Sequence, residues 1–217
     1  ILNRVMADPK NAGRYSHLKD AEGKWTVRDD VFVRFRNRQG VMAGGLTIGF
    51  TGYGSQNSRH HIGPELQIGH QLGDKIEAPV LLIKTAWGGK SLHKDFRPPS
   101  AGGETGEYYK KMLTEVREGL ANAATEIPAL AGKELELAGF IWFQGWNDMG
   151  NEQARADYEQ NLVHLIKDVR AEFKQPRLPV IIGELGNGGP QAGANMLAIR
   201  AAQKAAAERK ELRGNVK

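Results

Sequence analysis

In two short segments of the chain, glycines and polar residues come directly after an apolar stretch in the sequence. The segment WGGKS, residues 87–91, starts at the last residue of the apolar run PVLLIKTAW, and the segment QGWND, residues 144–148, follows LAGFIWF. A glycine lets a backbone N–H come close to a ligand, because no Cβ stands in the way. Amide side chains donate well to the negative charge that develops on an acyl oxygen. The two segments therefore indicate oxyanion stabilisation, which acyl-transfer chemistry requires.

The centre of this predicted site consists of two glycines, one amide and two indoles. Gly88 and Gly89 are the candidate backbone donors to an oxyanion, and Gln144 is the candidate side-chain donor. Two glycines behind a strand are also typical of an ordinary strand-to-loop turn. Trp87 and Trp146 lie at strand ends, where an indole ring either stacks on a sugar face or packs into the core. We expect both rings to contact a substrate.

Further polar residues are expected to bind the substrate around this centre: Ser91, Asn147, Asp148, Glu184 and His61. Ser91 follows the double glycine, where it serves either as a helix cap or as a hydroxyl that contacts the substrate. Glu184 follows the apolar stretch PVIIG, and His61 precedes the predicted helix start at Gly63. Adjacent His60 and His61 point apart if the chain is extended, so a joint metal site is not expected there, and no other cofactor is expected.

The elements that position these residues begin at residue 63, where apolar strand runs alternate with amphipathic helices. Such alternation predicts right-handed crossovers and a parallel sheet flanked by helices. Ligands bind outside the carboxyl ends of the strands in such a sheet. The predicted helices cover roughly residues 64–76, 109–127, 158–173 and 193–212, and the predicted strands cover residues 79–87, 137–143 and 179–183.

Residues 1–40 are predicted to form a largely irregular, turn-rich segment that leads into the domain. Residues 31–36 and 46–50 each suggest a short strand, and the two strands would be joined by a turn. Arg34, Arg36 and Arg38 share one face of that ribbon. We expect a solvated strand face there, with an anion-binding strip as the alternative.

Composition limits the remaining possibilities. With 217 residues, of which 40% are hydrophobic, the chain is predicted to form one domain over residues 1–217. The absence of cysteine excludes disulfides, thiol nucleophiles and cysteine-bound zinc. No apolar run is long enough to span a membrane. The net charge of +5 is scattered along the chain without a recognition motif, so no nucleic-acid partner is expected. Nothing in the composition indicates an oligomeric state.

Several motifs together resemble a known enzyme family: IGPEL at 62–66, LLIKTAWGGKSL at 81–92, DFRPP at 95–99, FQGWND at 143–148 and PVIIGELG at 179–186. They are similar to the sialate O-acetylesterase and acetylxylan-esterase-like group of SGNH-type hydrolases. The resemblance implies an α/β fold, a flavodoxin-like three-layer α/β/α sandwich with a parallel sheet. It also implies a serine esterase that deacetylates carbohydrates, in a secreted or periplasmic location. By position, Gly88 or Gly89 would supply an oxyanion N–H and Gln144 a side-chain donor.

The sequence departs from the family pattern in two respects. Many members have Glu where this chain has Trp146. The family's nucleophile lies in a Gly-Gln-Ser-Asn segment after the first strand, and its base is a His near the C-terminus; neither is present. Residues 54–57, GSQN, have similar letters in another order and come too late in the chain. We therefore expect the chain to be truncated at both ends, with the nucleophile Ser and the base His outside it.

Three alternatives remain open from the sequence. Ser91 could form a triad of its own with His93 or His61. Asp148 and Glu184 could be the acid and nucleophile of a glycoside hydrolase. The chain could also be a non-catalytic carbohydrate-binding remnant.

Overall fold

The computed structural model describes residues 2–51 and 61–217. Its residues cluster into two compact units. The first unit contains Ile1–Ala86 and Glu115–Lys133, and the second contains Trp87–Thr114 and Glu134–Lys217. The candidate segments at 87–91 and 144–148 both belong to the second unit. The predicted site residue His61 belongs to the first unit.

The described residues form an α/β fold with five helices and five strands, and the predicted alternation from residue 63 onward is confirmed. No described helix is long and apolar enough to cross a membrane. The helices are α1 (Leu2–Ala7), α2 (Glu65–Gly73), α3 (Glu107–Glu126), α4 (Glu152–Glu172) and α5 (Ala194–Glu208). The strands are β1 (Val31–Asn37), β2 (Gly40–Gly45), β3 (Val80–Lys84), β4 (Phe140–Trp142) and β5 (Val180–Ile182).

The sheet of the first unit is mixed rather than parallel. Its strand order is β2-β1-β3; β1 runs antiparallel to β2 and parallel to β3. The predicted second strand at 46–50 is wrong, because the strand that pairs with β1 is the glycine-rich β2. Leu46, Ile48 and Phe50 are buried in the core of this unit instead. Their apolar pattern reflects core packing and not strand pairing.

The second unit contains a parallel pair, β4 and β5, in which Phe140 lies opposite Val180. The chain ends beside β5, where Val216 forms a parallel bridge with Val180. Helix α4 supplies the largest share of the core on this side through a stripe of fully buried side chains: Tyr158, Leu162, Val163, Leu165 and Ile166. This stripe agrees with the helical spacing in the sequence, and it fixes the helix that backs the candidate site.

The expectation that Arg34 lies on a solvated face of β1 is wrong. Arg34 is buried in the first unit, with 1% of its surface exposed. Its guanidinium forms ion pairs with Glu115 at 3.0 Å and Glu126 at 2.6 Å. Arg36, on the same strand, pairs with Glu115 at 2.9 Å. The alternating arginines therefore attach β1 to the acidic residues of α3 from Glu115 onward. An anion-binding strip is excluded at Arg34 because its charge is already paired.

Replacement of Arg34 is expected to destabilise the protein strongly. Arg34→Ala leaves buried Glu115 with one cation fewer, and the loss of one partner from a buried ion pair costs about 3 to 5 kcal/mol. The control is Arg38→Ala, which changes an exposed residue of the neighbouring turn and is expected to stay within about 0.5 kcal/mol of the parent. Urea unfolding measures both free energies. Equal losses in the two variants would contradict the structural role of Arg34.

Candidate functional site

The double glycine forms an exposed turn in the second unit. Gly89 has φ +73°, the left-handed region that favours glycine. Among the residues that the structure describes, no hydrogen bond engages the N–H of Gly88 or Gly89. A Cβ placed on Gly89 would lie 3.9 Å from Asn147 Nδ2, so the Asn147 amide lies beside the turn. The turn thus presents two backbone N–H groups next to the side-chain amide of Asn147.

Gln144 directly follows β4, and both hydrogens of its amide are already engaged. Nε2 donates to the carbonyl oxygen of Lys90 at 2.9 Å and to Asp148 Oδ2 at 2.7 Å. An –NH₂ group has only two hydrogens. Gln144 can therefore donate to an oxyanion only by giving up one of these acceptors, and in this structure it holds the loop that carries the glycines.

Asp148 is the buried anchor of the site. Its side chain has no exposed surface and accepts the N–H groups of Leu92 and His93, each at 2.9 Å, besides that of Gln144. Burial raises the pKa of Asp148, and the three hydrogen bonds oppose that rise only in part. The expectation that Asp148 contacts the substrate is corrected here, because a fully buried carboxylate cannot reach a ligand. It joins the segment after β4 to residues 90–93.

Tyr158, on α4, holds the backbone of Gln144 in place through a hydrogen bond. Its hydroxyl donates to the Gln144 carbonyl oxygen at 2.6 Å and accepts from Trp142 Nε1 at 3.2 Å. Gln203, on α5, donates to the same carbonyl at 3.0 Å. A Cβ on Gly145 would lie only 2.7 Å from a methyl carbon of Ile199, so only glycine fits behind Gln144. The sequence pattern placed Tyr158 in the core and gave no sign of this polar contact.

Ser91 is committed to a local turn. Its N–H and its hydroxyl both donate to Asp95 Oδ2, at 2.8 and 3.1 Å, and its hydroxyl accepts the N–H of Lys94 at 3.2 Å. These bonds, with that of Lys90, outweigh the effect of burial and lower the pKa of Asp95. In the described part of the chain, no histidine hydrogen-bonds Ser91. His93 instead places Nδ1 3.4 Å from Asp157, so a triad of Ser91 and His93 is not assembled.

The three aromatic and amide candidates differ in their access to solvent. Trp146 is 54% exposed, and Asn147 is exposed beside it. Trp87 is half-buried, with its ring edge-on to Tyr108 at 5.3 Å and Lys111 Nζ 5.4 Å from its centre. Trp146 and Asn147 are therefore open to a ligand, whereas Trp87 belongs to an aromatic cluster that packs against the core.

The remaining predicted residues lie at the surface. Glu184 follows β5, has 66% of its side chain exposed and lies 3.9 Å from Arg200. His61 is exposed in the first unit. A glycoside hydrolase that uses Asp148 and Glu184 is not supported, because such enzymes need two carboxyl groups that flank the substrate and Asp148 is buried. No three His, Asp or Glu side chains in residues 2–51 and 61–217 are grouped to hold a metal ion.

Two solved structures share this fold. One is a protein of Arabidopsis thaliana, with a TM-score of 0.60 and 18% identity over 91% of this chain and 75% of that one. The other is described as a novel carbohydrate acetylesterase from Xanthomonas citri, with a TM-score of 0.56 and 15% identity over 82% of this chain. This chain spans 40% of the length of the Xanthomonas protein. No curated protein sequence matches significantly.

The sequence profile of one family, "Carbohydrate esterase, sialic acid-specific acetylesterase", matches residues 48–213. Because this match covers most of the chain, the chain belongs to that family. The resemblance found in the sequence motifs is thereby confirmed, and so is the function class, a carbohydrate O-acetyl esterase, which is a carboxylic ester hydrolase.

Replacement of Asp148 tests whether it anchors the loop at residues 90–93. Asp148→Asn keeps the size of the side chain but replaces one acceptor oxygen by a donor, so it cannot accept every present hydrogen bond. We expect amide hydrogen exchange at Leu92 and His93 to become at least about tenfold faster, because loss of one charge-assisted bond costs about 1.5 to 3 kcal/mol. NMR measures it residue by residue. The control is Glu184→Gln; equal exchange in both variants would contradict the anchoring role.

Proposed function

We propose that residues 87–91 and 144–148 form the stabilising half of an active site that hydrolyses acetyl esters of carbohydrates. One observation carries this proposal: the N–H groups of Gly88 and Gly89 and the amide of Asn147 lie together, and none of them has a hydrogen-bond partner within residues 2–51 and 61–217. Donors that are fixed before reaction stabilise a developing oxyanion at little cost of reorganisation. The buried bonds of Asp148 and Gln144 keep this loop in place.

The proposed reaction follows the serine esterase pattern. A serine hydroxyl attacks the acetyl carbonyl carbon while a histidine takes its proton, and the carbonyl oxygen becomes an oxyanion held by the donors of the turn. The intermediate collapses to acetyl-serine, and the histidine returns the proton to the departing sugar oxygen. Water then releases acetate and restores the serine. We assign the attacking serine and its base to residues other than the described ones, since the family's Gly-Gln-Ser-Asn segment is absent here.

The side-chain donor is assigned between two amides of the same segment. Gln144 has the position that the family resemblance indicates, but both of its hydrogens are used within the protein. No hydrogen bond between described residues engages the Asn147 side chain, which lies beside Gly89. We therefore propose Asn147 as the direct donor to the oxyanion. Gln144 acts through the Lys90 carbonyl, and it could donate directly only after a rearrangement.

The same proposal gives the exposed residues a role in binding. Trp146 offers an accessible indole on which a sugar ring can stack. Trp87, Ser91 and Glu184, which belong to the same unit, stay proposed as further substrate-binding residues. The finer architecture also remains a proposal: a flavodoxin-like three-layer sandwich, formed by one domain over residues 1–217, in a secreted or periplasmic protein. The parallel pair β4 and β5, with helices α4 and α5 in the same unit, supports this architecture.

One serine–histidine hydrogen bond occurs among the described residues, and it supports a second candidate nucleophile. Ser100 Oγ lies 2.7 Å from His164 Nδ1. The other ring nitrogen of His164 contacts the Gln160 amide at 3.0 Å, and no carboxylate orients the ring as in a catalytic triad. The backbone N–H of Ser100 also donates a hydrogen bond to the carboxylate of Asp168. We therefore interpret this pair as a surface contact between Ser100 and His164 of α4, and a Ser100→Ala variant tests whether it has a catalytic role.

Amide variants test the assignment of donors in a form of the protein that hydrolyses acetyl esters. We expect Asn147→Ala to lower kcat about 100- to 1000-fold with little change in KM, as for the loss of one oxyanion donor. Gln144→Ala is expected to lower kcat and also to accelerate amide exchange at Lys90 to His93, because it removes a loop contact. The control is Gln153→Ala, an exposed amide on α4. Unchanged turnover in Asn147→Ala would refute the direct role.

The 217-residue chain itself tests where the nucleophile lies. We expect only marginal hydrolysis of 4-nitrophenyl acetate by this chain, because oxyanion donors without a nucleophile retain a small part of the acceleration. Robust turnover that Ser91→Ala or Ser100→Ala abolishes would place the nucleophile at that serine and overturn the assignment.

A further inference from the structure

A cavity at the C-terminal end of α4 is separate from the residues discussed so far. It measures about 390 Å³ and is lined by Lys167, Arg170, Lys174, Pro176 and Glu211 among others. Three of these side chains are cations and one is an anion. The lining therefore carries a formal charge of about +2, three cations less one carboxylate.

Arg170 is the unusual member of this lining, because it is a buried cation without an anionic partner. Only 6% of its surface is exposed. Its Nε and Nη2 donate to the Leu178 carbonyl oxygen at 3.1 and 2.8 Å, and Nη2 also donates to Asn215 Oδ1 at 2.7 Å. All of these acceptors are neutral. No carboxylate within the described ranges lies at ion-pair distance, and burial alone acts on its pKa, which it lowers.

The Nη1 nitrogen of Arg170 remains available to a ligand. No hydrogen bond between described residues uses Nη1, and it is not among the buried polar atoms that lack a partner. It therefore keeps some contact with solvent, and Arg170 is one of the residues that line the cavity. Buried charges in proteins are normally paired, because an unpaired charge loses its hydration without compensation. An anion in the cavity would supply the missing partner.

The neighbouring charges leave the cavity short of negative charge. Glu211 is the one acid of the lining, and it is shared between Lys167 at 3.4 Å and Arg209 at 3.6 Å. A backbone hydrogen bond of Glu211 itself lowers the pKa of this carboxyl most, and the two cations lower it further. Glu211 therefore stays ionised. Lys174 is exposed at the rim, and no ion pair engages it in the part of the chain that the structure describes.

We propose that this cavity binds a tetrahedral dianion, a phosphate or sulfate group, through Arg170 Nη1, Lys167 and Lys174. The charge of about +2 matches a dianion better than a monoanion. Guanidinium groups form strong charge-assisted hydrogen bonds with such oxygens. The group can be a free ion or an ester on a sugar, and both present the same oxygens to the cavity. This site is independent of the proposed esterase site, so either can fail without the other.

Isothermal titration of the 217-residue chain tests the proposal at constant ionic strength. The probes are inorganic phosphate, inorganic sulfate and glucose 6-phosphate, with glucuronate as a monoanion for comparison. We expect a saturable site that prefers the dianions, and at least about fivefold weaker binding in Lys174→Gln and Lys167→Gln, since each removes one charge next to the ligand. Both variants keep the bonds of Arg170 to Leu178 and Asn215, so folding is preserved.

The matched control is Lys204→Gln, which removes an exposed lysine of α5 whose one ion pair with a described residue is a 3.9 Å contact with Glu208. It is expected to bind like the parent. Tighter binding of glucose 6-phosphate than of inorganic phosphate indicates an ester, and the reverse order indicates a free ion. Absence of saturable binding, or equal weakening in Lys204→Gln and Lys174→Gln, would overturn the proposal.

Discussion

The buried carboxylate of Asp148 is the contact on which the candidate site depends. Its side chain has no exposed surface and accepts the N–H groups of Leu92 and His93 and one amide hydrogen of Gln144. A carboxylate loses hydration when it is buried, and only several donors can compensate for that loss. Asp148 therefore stabilises the site only while residues 87–93 and residues 144–148 remain in contact, because that contact supplies its donors. The conformation of the turn at Gly88 and Gly89 therefore depends on the burial of Asp148 beside it.

The cluster extends into the core of the second unit through polar side chains on two helices. Tyr158 of α4 and Gln203 of α5 both donate to the Gln144 carbonyl oxygen. Tyr158 is fully buried, and burial raises its pKa well above the ordinary value, so its hydroxyl keeps its proton and remains a donor. The helices thus fix the backbone of Gln144, and Gln144 in turn fixes Lys90. These bonds hold the loop that carries Gly88 and Gly89, and the proposed oxyanion role requires donors that are held in place before reaction.

The sequence predicted the α/β class of the fold and the turn at Gly88 and Gly89 better than the burial of individual residues. Apolar periodicity located α4 and β4, and glycines behind a strand located the turn, because both signals are local. Periodicity did not separate the buried Leu46 region from the glycine-rich strand that pairs with β1. It also did not distinguish Asp148 from Asn147, since adjacent polar residues differ in burial only after folding. Arg34 was expected in solvent, but its partners on α3 lie about 80 residues away in sequence.

The pH dependence of amide resonances in the 217-residue chain tests the central role of Asp148 most directly. Leu92 and His93 donate to the same carboxylate as Gln144, so their amide resonances should shift together with its ionisation. The account predicts one common midpoint above about 3.9, the ordinary value for Asp, and the loss of this transition in Asp148→Asn. Separate midpoints for these amides, or shifts that persist in Asp148→Asn, would contradict the account.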